Sequence, residues 1–331
     1  MLTYGIEEEF MWLSRDGRQS ALPPFDVWDS PTENFSLSKE THLGVVEISS
    51  HILTSFRDVA RHCSNSRAWL HAQANIHDAT VFAGGTHPTL KWQNEPLVDT
   101  EYHGKTLERY GEVLKRGLVF GMHGHIGGIT EEDMPRVFNT LRSYLPIFLA
   151  MSANSREFAG RDTGMECYRM TAFSSLPRTG IPDVISSAKS EIAKLNHLVN
   201  QKVLERTTEL WFDARYHPVY RTIEVRNMDM QANSQLASAM LTLMFAVVEQ
   251  IHRKNTVLEN WKAPTSLINE NRWIAMRDGK NACLFNDQYE QVEMSTIMHT
   301  LIAKTKKRLP EAALQTLCEH FNVNVEETTV V

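Results

Sequence analysis

The sequence predicts an α+β fold, with strands joined by hairpins and long helices inserted between them, rather than a doubly wound parallel sheet. Three observations carry this. Turn signals link strand-like stretches: Asp16-Gly17 follows the first, and Tyr216-His217-Pro218 separates the last two. Helical periodicity comes in long separate blocks, Phe56 to His77, Asp133 to Asn154 and Gln231 to Arg253. No internal repeat, low-complexity linker or composition shift divides the 331 residues. A single domain, 1–331, is therefore expected, with its motifs in 3–230 and a helical remainder over 231–322.

Taken in order, the first strand covers Leu2 to Leu13 and ends in the turn Arg15-Asp16-Gly17-Arg18. Side chains alternate along a strand, so Glu7 and Glu9 share a face about 7 Å apart, while Glu8 points the other way. Residues 20–40, with Pro23, Pro24 and Pro31, read as irregular. A second strand, His42 to Leu53, holds one acid, Glu47, sharing a face with Val45 and Ser49. The helix over Phe56 to His77 buries Phe56, Val59, Cys63, Leu70 and Ala74. A short strand, Thr80 to Ala83, leads into Gly84-Gly85-Thr86-His87-Pro88, and 88–105 reads as polar loop. Gly104-Lys105-Thr106 imitates the end of a phosphate loop, but Asp99 stands where its first glycine is needed and no strand precedes it.

Leu118 to Ile129 is the next strand, and His123 and His125 share a face within Gly121-Met-His-Gly-His-Ile-Gly-Gly128. The glycines let a ligand or a second backbone come close. In the helix from Asp133 to Asn154, Pro135 suits the first turn and Pro146 imposes a kink. A 27-residue polar connection from Asn154 to Gly180 carries Arg156, Arg161, Arg169 and Arg178, a length that in a compact domain signals function or disorder. Asp183 to Leu204 is helical. Two strands follow, Glu209 to Ala214 and Thr222 to Met228; in the second, Thr222, Glu224 and Arg226 share a face. Gln231 to Arg253 is a long apolar helix, 264–322 is mostly helical, and Glu326 to Val331 is an acidic, Thr-rich tail.

Composition narrows the classes. Hydrophobic and charged fractions of 42% and 22% are those of ordinary soluble proteins. A net charge of −6 argues against nonspecific nucleic-acid binding. Cys63, Cys167, Cys283 and Cys318 form no CxxC pair, so neither a zinc site nor a disulfide framework is indicated, and Cys63 reads as a buried free thiol. There is no basic-then-apolar leader. No apolar run approaches the roughly 20 residues of a membrane span. The expectation is a soluble cytoplasmic protein with neither membrane nor nucleic-acid partners.

Glu7, Glu9, Glu47, His123, His125, Glu224 and Arg226 all fall on strands, at positions that can share a surface. Carboxylates with an imidazole suit Mg²⁺ or Mn²⁺, with Zn²⁺ also open, and several acids together exceed the needs of one Mg²⁺. A multi-metal site clamping phosphates is one reading. A metal-dependent amide hydrolase without nucleotide, and a non-catalytic nucleotide-binding homologue, are the others.

Seven motifs occur in order: Gly5-Ile-Glu-Glu-Glu-Phe10, Gly85-Thr-His-Pro88, Gly121-Met-His-Gly-His-Ile-Gly127, Leu149-Ala-Met-Ser-Ala-Asn-Ser155, Asp162-Thr-Gly164 with Tyr168-Arg169, Leu176-Pro-Arg-Thr-Gly-Ile-Pro182 and Thr222-Ile-Glu-Val-Arg226. Over about residues 3–230 the chain resembles carboxylate–amine ligases of the glutamate–cysteine ligase type 2 family, relatives of glutamine synthetase. The resemblance implies a glutamine-synthetase-like fold, a curved antiparallel sheet bearing the site with helices packed on one face. It implies ATP and Mg²⁺ (or Mn²⁺) as cofactors and amide formation through an acyl phosphate, on glutamate with cysteine or another amine. It also implies roles: Glu7, Glu9, Glu47, His123 and Glu224 at the metals; His123, Glu224 and Arg226 in catalysis; and His125, Arg169 and Arg178 at nucleotide or substrate. Relatives suggest a homodimer. Gly124 stands where valine is common in these ligases, and Tyr216 where proline is common.

Overall fold

The hydrophobic alternation of Tyr4, Ile6, Phe10 and Trp12 makes strand β1 (Thr3–Ser14) the longest in the fold. In a computed structural model that describes residues 1–28 and 34–324, it is joined by β2 (Phe35–Lys39), β3 (Val45–Ser50), β4 (Ala79–Phe82), β5 (Gly121–Gly127), β6 (Ala214–His217) and β7 (Thr222–Asp229). The seven form one antiparallel sheet, six of them in the order β6-β7-β5-β1-β3-β2 and β4 off that path, paired with β1. β1 pairs with β3 along one edge and with β5 and then β4 along the other.

The principal helices are α1 (Phe56–Ile76), α2 (Glu101–Tyr110), α3 (Met134–Leu141), α4 (Leu145–Ser152), α5 (Tyr168–Phe173), α6 (Ala188–Asn200), α7 (Ser234–His252), α8 (Thr265–Asp278), α9 (Met294–Thr305) and α10 (Glu311–Phe321). Side-chain oxygens cap several N-termini: Ser55 accepts from Asp58 N–H, Thr100 from His103 N–H, and Asn233 from Gln235 and Leu236 N–H. Pro135 and Pro146 open α3 and α4, so the expected kink is a break, bridged by one 3₁₀ turn at Arg142–Tyr144.

α1 and α7 cover the face of the sheet that carries Tyr4, Ile6, Phe10, Val46, Ile48, Met122 and Ile126. α7 lies so close to β5 that a Cβ on Gly124 would sit 2.2 Å from the Met244 Cε and 3.1 Å from the Phe245 ring. Among the described residues α7 is the one helix long and apolar enough by composition to cross a membrane, which corrects the expectation that no stretch reaches that length. Most of it is buried inside the fold.

Four further readings change. Residues 20–40 are not wholly irregular, for they contain the short helix Phe25–Trp28 and edge strand β2, whose Phe35 and Leu37 alternate with Ser36 and Ser38. The polar stretch 88–105 gives way to α2, in which Gly104, Lys105 and Thr106 are helical, so they form no phosphate loop. The 27-residue connection contains α5. The last hairpin turns at 218–221 rather than at Tyr216-His217-Pro218, so Arg215, Tyr216 and His217 belong to β6. Pro31 and the Glu326 to Val331 tail lie outside the described residues.

Candidate active site

Register brings the sequence's acids and histidines together. Glu9 stands opposite Glu47, and Glu7 opposite His123. His125 stands opposite Glu224, which in turn stands opposite Arg215. Directly paired residues project to the same side of a sheet. Five strands thus deliver these groups to the face turned away from α1 and α7. Between the pairs Val225–Gly124 and Met228–Met122, β7 has two residues, Arg226 and Asn227, where β5 has only His123. This bulge leaves Arg226 beside Glu224 and returns Met228 to the core.

Glu7 is the centre of the polar contacts. Its Oε2 lies 3.2 Å from Nδ1 of His123, and its Oε1 lies 3.1 Å from Nε2 of His125, at an angle that leaves that nitrogen without an aligned hydrogen bond. The Arg169 Nη2 sits 3.3 Å from Nε2 of His123 and donates 3.1 Å to the Arg226 carbonyl. A guanidinium only donates, so Nε2 of His123 accepts and its Nδ1–H goes to Glu7. Glu224, fully buried, accepts from Arg215 Nε at 2.6 Å and from Arg226 Nη1. His125 Nδ1 meets the Thr222 hydroxyl at 3.0 Å. Glu9 accepts the Gly121 N–H at 2.5 Å, and Glu47 accepts the Ser38 hydroxyl at 2.7 Å.

The electrostatics divide these acids into two groups. Burial would raise Glu7 and Glu224, but the two histidines hold Glu7 well below the ordinary range, and Arg215 with Arg226 does the same for Glu224. Glu47 is pushed well above the ordinary range by desolvation and by Glu7, Glu40 and Glu9, and among the described residues no cation forms an ion pair with it. Glu40, just beyond β2, is raised to about 8 by burial and then by Glu9. Burial also lowers His123, with Arg226 adding to the effect, and takes His217 down to about 4.

The donor set fits a hard divalent cation. Glu7, His123 and Glu224 each bring one ligand atom within 4.8 Å of the others, and so do Glu9, Glu47 and His123. Glu7, Glu9, Glu40, Glu47, His123 and Arg226 line the floor of a cleft of about 940 Å³. Its outer wall comes from α2 and from residues 205–211.

Of the residues singled out in the sequence, Arg178 is the one set apart. It packs against Trp211 and Tyr110, donates to the Glu209 carbonyl at 2.9 Å and to the Tyr110 hydroxyl at 2.5 Å, and does not line the cleft. Arg169 is buried over the Phe173 ring with its Nε unsatisfied, and its charge acts on buried Asp229 without a direct ion pair among the described residues. Three site residues escaped the sequence reading. Glu40 follows an edge strand whose Phe-Ser-Leu-Ser alternation was the available signal, and Arg215 and His217 were hidden by the misplaced turn.

Fold and site together define an α+β scaffold whose antiparallel sheet gathers acids, histidines and arginines on one open face. Residues 3–322 match the sequence profile of Glutamate-cysteine ligase family 2, and the chain belongs to that family. A provisionally named glutamate–cysteine ligase 2 of Ruegeria pomeroyi is 30% identical over 331 residues, covering 97% of this chain and 86% of the relative. One from Herpetosiphon aurantiacus is 29% identical over 310 residues, covering 92% and 79%. A bifunctional glutathione synthetase from Pasteurella multocida matches with a TM-score of 0.70 at 12% identity, over 97% of this chain and 48% of that one, so this chain spans about half its length. Glutamate–cysteine ligase from Francisella tularensis, solved in complex with AMP, matches with a TM-score of 0.64 at 12% identity, over 98% and 82%. At such identity the structural likeness establishes the α+β ligase fold. The family supports an ATP-dependent ligase of the glutamate–cysteine ligase kind.

Proposed function

We propose that this chain is an ATP- and Mg²⁺-dependent carboxylate–amine ligase acting on the γ-carboxylate of glutamate, with cysteine or another amine as acceptor. The observation that carries this reading is the convergence of Glu7, Glu9, Glu40, Glu47, Glu224 and His123 beside the guanidinium groups of buried Arg169 and half-buried Arg226. In the reaction, the substrate carboxylate attacks the γ-phosphorus of ATP and ADP leaves, and the amine then attacks the acyl carbon and displaces phosphate to leave the amide. Glu7, Glu9, Glu40, Glu47, His123 and Glu224 would hold the cations, whose charge would neutralise the phosphate oxygens when bound. Arg226, anchored on Glu224, presents a planar donor to the transferring group. Arg169, whose Nε has no hydrogen-bond partner among the described residues, is suited to a substrate carboxylate or phosphoryl oxygen. Such positioning and charge neutralisation supply most of what phosphoryl transfer asks of a protein.

A homodimer working in the cytoplasm, where ATP is abundant, belongs to the same proposal, and light scattering on the eluted protein tests the dimer. The chemistry is tested by incubating the protein with ATP, Mg²⁺, glutamate and a panel of amines while following ADP. Release of ADP that requires both glutamate and an amine is the expected result. Folded protein that binds ATP yet releases no ADP with any pair overturns the reading.

A further inference from the structure

The cleft wall carries four aromatic side chains, Tyr102, Phe173, Trp211 and Tyr220. Three of them already have a guanidinium over the ring: Arg206 lies 3.7 Å from the Tyr102 centroid, Arg169 5.7 Å from Phe173, and Arg178 5.4 Å from Trp211. Tyr220 differs. It sits in the turn between β6 and β7, 65% exposed, and its ring lies flat on the His217 imidazole, with centroids 4.3 Å apart and planes 10° from parallel. One face is thus occupied by His217, and among the described residues no cation covers the other.

The stack is rigidly built. The His125 ring meets His217 at 5.8 Å and Tyr220 at 6.1 Å, edge-on in both cases. Tyr220 N–H donates to Nδ1 of His217 at 3.1 Å, so Nδ1 carries no proton and the neutral ring keeps its hydrogen on Nε2, a donor beside the stack. Through His125, the assembly stands one imidazole away from the Glu7 and Glu224 carboxylates. A flat ring with an open face at the rim, joined to a floor built for phosphates, matches a ligand with a heteroaromatic ring at one end and phosphates at the other.

We propose that Tyr220, braced by His217, is the platform on which the purine base of the nucleotide stacks. The assignment rests on the ligase reading and adds to it the place of the base. It makes Tyr220 a determinant of nucleotide affinity rather than of phosphoryl transfer.

The test titrates ATP and inorganic tripolyphosphate, each with Mg²⁺, into the full-length chain and its Tyr220→Ala and Tyr220→Phe variants by calorimetry. Base–aromatic stacking predicts that Tyr220→Ala weakens ATP about tenfold or more while leaving tripolyphosphate unchanged, with Tyr220→Phe behaving as the parent. The exposed position leaves folding intact, which circular dichroism verifies. Unchanged ATP affinity in Tyr220→Ala, or equal weakening of both ligands, overturns the platform. Parent protein that binds tripolyphosphate as tightly as ATP overturns it while sparing the phosphate site. Parent protein that binds neither overturns the platform and the ligase reading together.

Discussion

Glu8 and its neighbours Glu7 and Glu9 are adjacent on one strand, yet they live on opposite faces of the sheet under opposite rules. Glu8 is completely buried against α1, where Arg67 donates to its Oε1 from Nε at 3.1 Å and Nη2 at 2.6 Å, and Arg67 also reaches the carbonyls of Gln231 and Ala232. Glu9 and Glu47 instead face each other across two strands, with Glu40 nearby. A buried acid that serves the fold is given its own cation, because an uncompensated charge in low dielectric is costly. An acid that shares a cavity with other acids, as Glu47 does, is suited to a ligand that neutralises it, in keeping with the function proposed above. The difference separates Glu8, which the fold supplies with a partner, from Glu9, Glu40 and Glu47, which crowd together and which the proposed function assigns to cations.

The comparison is broken most sharply by removing charge on the open face. Glu7→Gln and Glu224→Gln are expected to lower kcat about 10²–10³-fold or more in protein that still folds, as when an electrostatic group acting on the transition state is lost. Glu224→Gln should also lower the melting temperature, because Arg215 and Arg226 lose their buried carboxylate. Steady-state ADP release with a thermal melt decides it, and near-parental turnover in either variant takes that residue out of the site. Glu8→Gln should cost stability without costing turnover. Leaving Arg67 without its carboxylate costs about 3 kcal/mol, the low end for a broken buried pair because two carbonyls still accept from it, and the folded fraction keeps its turnover. Denaturant titration read beside activity separates the two faces, and a Glu8→Gln variant that is stable but inactive would reverse their assignment.

A smaller effect probes the helix-covered face. Gly124→Val should destabilise by about 1–3 kcal/mol through overpacking. The Met244 methyl can swing away from the new Cβ, but the Phe245 ring, 3.1 Å from it, sits in the core. A stability equal to the parent's in urea would show that α7 yields at this point.

Much of this division was legible in the sequence because period-two alternation is a strict rule. It separates Glu7 and Glu9 from Glu8, pairs His123 with His125, and puts Glu224 and Arg226 on one side. What alternation cannot supply is register, since sliding one strand by one residue exchanges its faces. The alignment of Glu9 with Glu47, and the bulge that keeps Arg226 over the site, depend on tertiary packing. The sequence reading also failed where strand signals were short or overlaid. Pro218 drew the turn onto Tyr216 and His217 and so hid Arg215, which pairs with Glu224. The four-residue alternation before Glu40 was too brief to stand out among prolines. α2 was missed because Glu101, His103, Lys105 and Glu108 give it little apolar periodicity, and Gly104 interrupts the pattern.

The mildest test uses pH to ask whether the acids of the open face await a cation. Burial, then Glu9, raises Glu40 from an ordinary 4.5 to about 8, and burial, then Glu7, raises Glu47 well above the ordinary range. A carboxyl with a raised folded-state pKa keeps its proton in the fold after the unfolded chain has released it. Its contribution to stability is therefore complete below 4.5 and is lost as pH rises toward about 8. Glu7 and Glu224 are shifted down, so their contributions are lost only as pH falls below the ordinary carboxylate range. In EDTA, then, the melting temperature should drop between about pH 6 and about pH 8.5. Mg²⁺ must expel the protons of Glu40 and Glu47 to bind there, so its stabilisation should be larger at the higher pH, with proton release visible as a buffer-dependent heat. Equal stabilisation at both pH values would mean that Glu40 and Glu47 are not among the ligands.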